Sequence, residues 1–196
     1  MFYRTCRRIL PLTLALLLII SCVPIAYTAD FSDVPRSHWA YSYIHDAVDR
    51  KLIQGYGDRR FHPEEPVSVQ AFLSMVCRTD GLDDRQLQSG SNWADPAVAY
   101  GSYFGWFEPK ELGVRTASIS REFATQLLIC AFYPEAVGLG EELTFRDQDA
   151  ISPKRLPYVR AAAALGLIEG YEDGTFRPEQ GLTRAAAAKL LSRCAA

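Results

Sequence analysis

Leu167-Ile168-Glu169-Gly170-Tyr171-Glu172-Asp173-Gly174-Thr175-Phe176-Arg177-Pro178 is a second rendering of Leu52-Ile53-Gln54-Gly55-Tyr56-Gly57-Asp58-Arg59-Arg60-Phe61-His62-Pro63. Each identical residue recurs at an offset of 115, from Leu52 to Leu167, with no gap. Gly, Tyr, Asp, Phe and Pro held in register together mark an internal repeat, which decides the architecture before any single residue does. The offset leaves room for a middle copy, and a worn one is present. Phe31-Ser32-Asp33, Trp93-Ala94-Asp95 and Phe145-Arg146-Asp147 are three aromatic-x-Asp starts. Ser68-Val69-Gln70, Ser120-Arg121-Glu122 and Thr183-Arg184-Ala185 are three hydroxyl-led openings of a second apolar segment. Gly105-Trp106-Phe107 matches Gly166-Leu167-Ile168, but the middle copy has lost the Gly-Tyr-x-Asp-Gly loop and carries Glu108 to Ser118 instead.

Each unit reads as helix, loop, helix. Ala40, Ile44, Ala47, Val48 and Leu52 follow helical spacing, with Ser37 as the expected N-cap. In the third unit Pro157 suits the first turn of a helix over Tyr158 to Leu165, which Gly166 stops. Ser68, Ser120 and Thr183 are expected to cap the second helices, whose apolar positions include Phe72, Leu73 and Val76, Phe123, Leu127 and Leu128, and Ala187, Leu190 and Leu191. The predicted organisation is unit 1 over residues 30–82, a degenerate unit 2 over 91–138 and unit 3 over 143–196, with polar linkers at Gly81 to Gly90 and Glu135 to Thr144. One such unit buries little apolar surface, so three packing around a shared core is the expected solution.

The composition agrees with an ordinary globular chain: 196 residues, 48% hydrophobic, 22% charged, formal net charge -2. No basic stripe with interleaved aromatics points to nucleic acid. Arg4, Arg7 and Arg8 precede an apolar run from Ile9 to Ile20 and a small-residue exit ending at Ala29, the pattern of a secretory signal peptide over 1–29. The run is shorter than the roughly 20 residues a membrane-spanning helix needs. Two exits stay open: cleavage after Ala29, or a lipobox at Ile19-Ile20-Ser21-Cys22 with lipidation of Cys22, the only route to a membrane. Loss of 1–29 removes three Arg and no acid, leaving 18 basic against 23 acidic residues, a net charge of about -5. Such a chain needs a specific site, not bulk charge, to adhere to an anionic wall. Cys77, Cys130 and Cys194 sit in apolar helical contexts and read as small core residues.

These residues resemble the S-layer homology domain family. Phe31-Ser32-Asp33-Val34 and Trp39-Ala40 match its start, Gly166 through Pro178 its loop, and Leu182-Thr183-Arg184-Ala185 its second-helix opening; the resemblance covers residues 31–196. It implies an all-α fold in which three repeats form a pseudo-threefold trimer within one chain, with the first helices as the central bundle and ligand grooves between neighbours. It also implies an exported, non-catalytic module that holds proteins on secondary cell-wall polysaccharide or a peptidoglycan-linked glycan, often through a pyruvate ketal on an amino sugar. No cofactor is implied.

A ketal carboxylate suits Arg121 and Arg184, because Arg grips a carboxylate bidentately and a helix start offers unpaired N–H groups. The other reading of both arginines is an ion pair with one of the aspartates. Ser120 and Thr183 stand beside them, Trp39 suits the apolar face of a sugar or the core, and Asp33, Asp95 and Asp147 suit sugar hydroxyls or, more simply, caps and salt bridges. Tyr56 and Tyr171 read as loop-packing residues. Two departures narrow the expectation to at most two competent grooves: Val69 replaces the arginine in unit 1, and Ala71, Phe123 and Ala186 replace the family's glutamate.

An enzyme is not expected. His38, His45 and His62 show no metal spacing, and there is no nucleophile elbow or phosphate loop. The alternative is a degenerate scaffold that binds a protein partner at the cell envelope. Ala196 directly follows the last helix, which suits an anchor acting for a non-covalent partner.

Overall fold

The computed structural model describes residues 30–82, 86, 92–140 and 142–194. The expected signal peptide, with Cys22, lies outside the described residues, as does most of the Gly81–Gly90 linker. Among the described residues the regular elements are helices: α1 (Tyr41–Asp49), α2 (Val69–Thr79), α3 (Asp95–Tyr103), α4 (Arg121–Phe132), α5 (Leu156–Ala164) and α6 (Arg184–Cys194), with short 3-10 turns between. Extended backbone is confined to isolated bridges, so the all-α expectation holds.

The second helices begin where the hydroxyls are. Ser68 Oγ accepts from Ala71 N–H (3.3 Å), Ser120 Oγ from Phe123 N–H (3.4 Å) and Thr183 Oγ1 from Ala186 N–H (3.2 Å). Each satisfies one amide that the helix itself leaves unpaired. Pro157 occupies the first turn of α5, as expected. Ser37 does not cap α1. The chain makes a tight turn instead, His38 N–H donating to Pro35 O (2.8 Å) and Tyr41 N–H to His38 O (2.9 Å), and the helix starts at Tyr41.

The arrangement of the helices corrects the expectation of a central bundle of first helices. The second helices hold the centre: α2 packs against both α4 and α6, while α1 lies on α6, α3 on α2 and α5 on α4. Each first helix therefore sits outside, against the second helix of a neighbouring unit. The cause is apolar coverage. α2 buries Phe72, Leu73, Met75, Val76 and Cys77, and α4 buries Phe123, Ala124, Leu127, Leu128 and Ile129, whereas α1 buries only Ile44 and Ala47. At roughly 1.5–3 kcal/mol for each large apolar side chain removed from water, the helix with the wider apolar face takes the middle.

Just before each second helix a short extended segment meets its two counterparts. Val67 N–H donates to Leu182 O (2.9 Å), Leu182 N–H to Ile119 O (3.0 Å), and Ile119 N–H to Val67 O (2.9 Å). The three bonds close a ring. Val67, Ile119 and Leu182 are themselves buried, so this ring of amides is roofed by its own side chains.

Candidate ligand-binding grooves

The conserved-looking loops of units 1 and 3 are built by one aspartate each. Asp33 accepts from Phe61 N–H (2.9 Å) and His62 N–H (2.7 Å), and Asp147 from Phe176 N–H (2.7 Å) and Arg177 N–H (2.7 Å). Both carboxylate oxygens are thus engaged by backbone. Burial pushes the Asp33 carboxyl up, but the two amides outweigh it and hold the group below its ordinary range. Asp95 has no such loop to hold. It accepts from Arg115 Nη1 (2.9 Å) and Asn92 N–H (3.2 Å).

The arginines do not pair with these aspartates. Each crosses to the loop of the next unit, where its guanidinium lies between two aromatic rings and donates to backbone oxygen. Arg184 reaches into unit 1, with Nη2 on Gln54 O (2.6 Å), Nε on Phe61 O (2.8 Å), and its charge 4.7 Å and 4.6 Å from the Tyr56 and Phe61 ring centroids. Arg121 reaches into unit 3, with Nη2 on Glu169 O (2.7 Å) and its charge 5.2 Å and 5.0 Å from Tyr171 and Phe176. Its Nε is buried and finds no hydrogen-bond partner among the described residues. Burial is the largest influence on both guanidinium groups and lowers their ordinary values, although an arginine stays cationic throughout the physiological range.

The helix starts are not open anion sites. Arg184 N–H donates to Glu65 O and Ala185 N–H to Pro63 O, each at 2.9 Å; Arg121 N–H donates to Gln180 O (2.9 Å) and Glu122 N–H to Pro178 O (3.0 Å). Val69 and Gln70 N–H donate in the same way to Ala117 O and Arg115 O, each at 3.0 Å. With the hydroxyl cap taking the third amide, each first turn is already satisfied. The recognition chemistry left at these sites belongs to side chains.

Three interfaces between units result, and they differ. The interface of Arg121 with the unit 3 loop is an open groove of about 790 Å³, lined by Arg121, Tyr171, Arg177, Gln180, Thr183 and Lys189, with Trp39 and Glu64 of unit 1 on its far wall. The interface of Arg184 with the unit 1 loop is latched. Tyr56 Oη donates to Glu65 Oε2 (2.8 Å), and Arg184 is only 8% exposed. Glu65 corresponds to Gln180, 115 positions on, which leaves Tyr171 free to carry the Arg177 guanidinium 4.0 Å above its ring instead. The third interface is occupied by ion pairs. Val69 is buried in the core, and Lys154, which stands where unit 1 has Trp39, bridges Glu111 (2.9 Å) and Glu108 (3.5 Å) of the replaced loop. Arg155 adds Glu111 (3.6 Å) and the fully buried Glu122 (2.8 Å).

Of the residues singled out from sequence, the open groove gathers Arg121, Thr183 and Trp39, the last 56% exposed. Arg184 belongs to the latched interface. Ser120 caps α4, and Asp33, Asp95 and Asp147 serve loop and helix geometry. Sequence reading missed Lys154, Gln180 and Glu122. The first two were visible as breaks in the 115-residue correspondence, Trp39 to Lys154 and Glu65 to Gln180. Among the described residues no group of three or more His, Cys, Asp or Glu side chains is placed to hold a metal ion. Cys77 and Cys194 are buried free thiols that burial pushes up to about 12, so they remain protonated core residues, and Cys130 is half-buried.

Helix-loop-helix units packed together through their second helices define a repeat-built module. The family profile described as S-layer homology domain matches residues 30–68 and 144–188. The chain is 30% identical over 177 residues to an endoglucanase of Bacillus sp. (strain KSM-635), covering 83% of this chain and 18% of that protein. It is 27% identical over 176 residues to an amylopullulanase of Thermoanaerobacterium thermosulfurigenes (84% of this chain, 9% of that protein). It is 25% identical over 162 residues to cell surface glycoprotein 1 of Acetivibrio thermocellus (74% and 7%). The chain thus spans less than a fifth of the relatives it matches, and their enzyme names describe proteins far longer than the shared part. Residues 30–68 and 144–188 are thus S-layer homology repeats, and the S-layer homology domain is a non-catalytic cell-surface anchoring module.

Proposed function

We propose that this protein is exported and anchors at the cell wall by binding secondary cell-wall polysaccharide in one groove, that of Arg121. The three units, over 30–82, 91–138 and 143–196, form a pseudo-threefold intramolecular trimer whose centre is the Val67–Leu182–Ile119 ring. A single observation carries the choice of groove. Arg121 lines an open cleft that also holds an exposed tryptophan, and it gives the loop one hydrogen bond, at Nη2, where Arg184 gives two. A guanidinium on the groove wall suits a carboxylate fixed to a sugar ring, such as a pyruvate ketal, and the indole suits the ring's apolar face. The acids around the cleft, Glu64, Glu169, Glu172 and Asp173, oppose a polyanion and favour a ligand with one isolated negative charge.

The test is retention on purified Bacillus sacculi that keep their wall polymers. Arg121→Gln is expected to lower retention about tenfold or more, as loss of a charge-assisted pair costs on that order. Removal of the ketals by mild acid is expected to lower wild-type retention equally and to leave Arg121→Gln unchanged. Retention that survives both treatments overturns the groove reading. The alternative, an envelope scaffold for a protein partner, is favoured by one feature: the 84% exposed Tyr103 beside Phe104 on unit 2, the unit whose own loop is replaced.

A further inference from the structure

Trp39 stands half exposed on the groove wall, and its ring neighbour among the described residues is His38. The two rings stack with centroids 5.8 Å apart and planes 27° from parallel. His38 is in turn fixed by the backbone, since Ala40 N–H donates to its Nδ1 (3.1 Å). A backbone amide can only donate, so Nδ1 carries no proton in this arrangement and the hydrogen of the neutral ring lies on Nε2. Nε2 faces Glu64 Oε1 at 3.8 Å, across from the turn after the unit 1 loop. Glu64 lines the same groove.

Unit 2 makes the same bond with a residue that does not titrate. The helix starts correct the sequence alignment of Trp93-Ala94-Asp95 with Phe31-Ser32-Asp33: Ala94 precedes its helix as Ala40 does, so Trp93 matches Trp39. Asn92 stands before Trp93 as His38 stands before Trp39, and its Oδ1 accepts from Ala94 N–H (3.0 Å). The turn therefore needs an acceptor two residues before the alanine, and an amide oxygen serves as well as an imidazole. Only in unit 1, whose tryptophan faces the open groove, is that acceptor one that a proton can abolish.

We propose that His38 is a positioning residue that holds Trp39 against the ligand only in its neutral form, so that glycan binding weakens when the ring takes up a second proton. The inference rests on the groove reading above. Protonation puts a hydrogen on Nδ1, where it confronts the hydrogen of Ala40 N–H, and the ring must turn away. Glu64 opposes this by attracting the imidazolium, but its side chain is 72% exposed and the attraction is screened by water. With the ring turned, Trp39 loses its stacking partner and samples other rotamers.

The experiment uses protein labelled with 5-fluorotryptophan, its three fluorine resonances assigned with Trp39→Phe, and titrated from about pH 7.5 to about pH 5.5 without ligand. The Trp39 resonance is expected to shift over that span in the wild type and to stay flat in His38→Asn, which retains the acceptor found in unit 2. On sacculi, wild-type retention is expected to fall several-fold over the same span, and His38→Asn to give a level profile. A flat Trp39 resonance in the wild type, or a fall in retention that persists in His38→Asn, overturns the inference. A resonance that titrates in a protein that never binds sacculi upholds the coupling of His38 to Trp39 and overturns the groove reading instead.

Discussion

The unit 1 and unit 3 loops are near copies, and yet one closes over its arginine and the other leaves it open. Both are folded by an aspartate on two amides, both turn through a Tyr N–H bond of 2.8 Å (Tyr56 to Arg60 O, Tyr171 to Thr175 O), and both receive an arginine between two rings. The divergence comes from two side chains at the rim. Glu65 draws the Tyr56 hydroxyl down and His62 sets its ring edge-on to Tyr56 at 4.9 Å, whereas Gln180 leaves Tyr171 to Arg177. In unit 1 the arginine has become a structural clamp; in unit 3 the same clamp keeps one donor in reserve. The same arginine position thus makes two loop bonds in one copy and one in the other.

The comparison can be broken most forcefully at Arg184. Arg184→Ala strands the carbonyls of Gln54 and Phe61, and is expected to lower folding stability by about 3 kcal/mol in denaturant titration, well beyond Arg121→Gln. Comparable losses from the two would dissolve the distinction between clamp and binding site. Glycine replacements probe how tightly each loop sits on its leading aromatic. An added Cβ at Gly55 meets the Phe31 ring (Cζ at 2.8 Å), while at Gly170 the nearest Phe145 atom lies at 3.0 Å. Gly55→Ala should cost about 2 kcal/mol and Gly170→Ala clearly less, read from unfolding midpoints.

A smaller effect tests the acid that folds the unit 1 loop. The Asp33 pKa is lowered on folding, so its contribution is complete above the unfolded value of about 3.9 and is lost as pH falls through the folded value. Asp33→Asn is expected to cost about 1 kcal/mol at neutral pH and to flatten the stability curve below about pH 4, measured by denaturation across pH. A curve parallel to wild type would remove Asp33 from the account. The smallest change runs in the other direction. Lys51 sits at φ 61° where unit 3 has Gly166 at 68°, and Lys51→Gly should stabilise by about 0.5 kcal/mol.

Much of this was legible because it repeats. The 115-residue register exposed the two loops, the hydroxyl caps at Ser68 and Thr183, and the loss of arginine at Val69, and the hydroxyl-led start at Ser120 marked the middle copy. What stayed hidden depends on contacts between residues far apart in sequence. Both helices of a unit carry apolar faces, and only the fuller coverage of α2 and α4 places the second helices at the centre. The first-turn amides of α6 looked free because their partners, Pro63 O and Glu65 O, lie in another unit. The sequence singles out Arg121 and Arg184 alike, and the difference between their settings turns on Gln180 and Glu65, neither of which belongs to a recognised pattern.

The closed ring of Val67, Leu182 and Ile119 also bears on assembly. In an open stack of repeats each end copy needs a polar cap, and copies can be added or removed one at a time. A ring has no end copy. Its longest bond joins segments 115 residues apart, Val67 to Leu182, so the ring is complete only once that loop-closure entropy has been met. Deleting one unit would leave two extended segments with unpaired amides, edges suited to pairing with another molecule. The segment around Ile119 thus supplies backbone bonds to both of the others, whatever side chains follow it in the sequence.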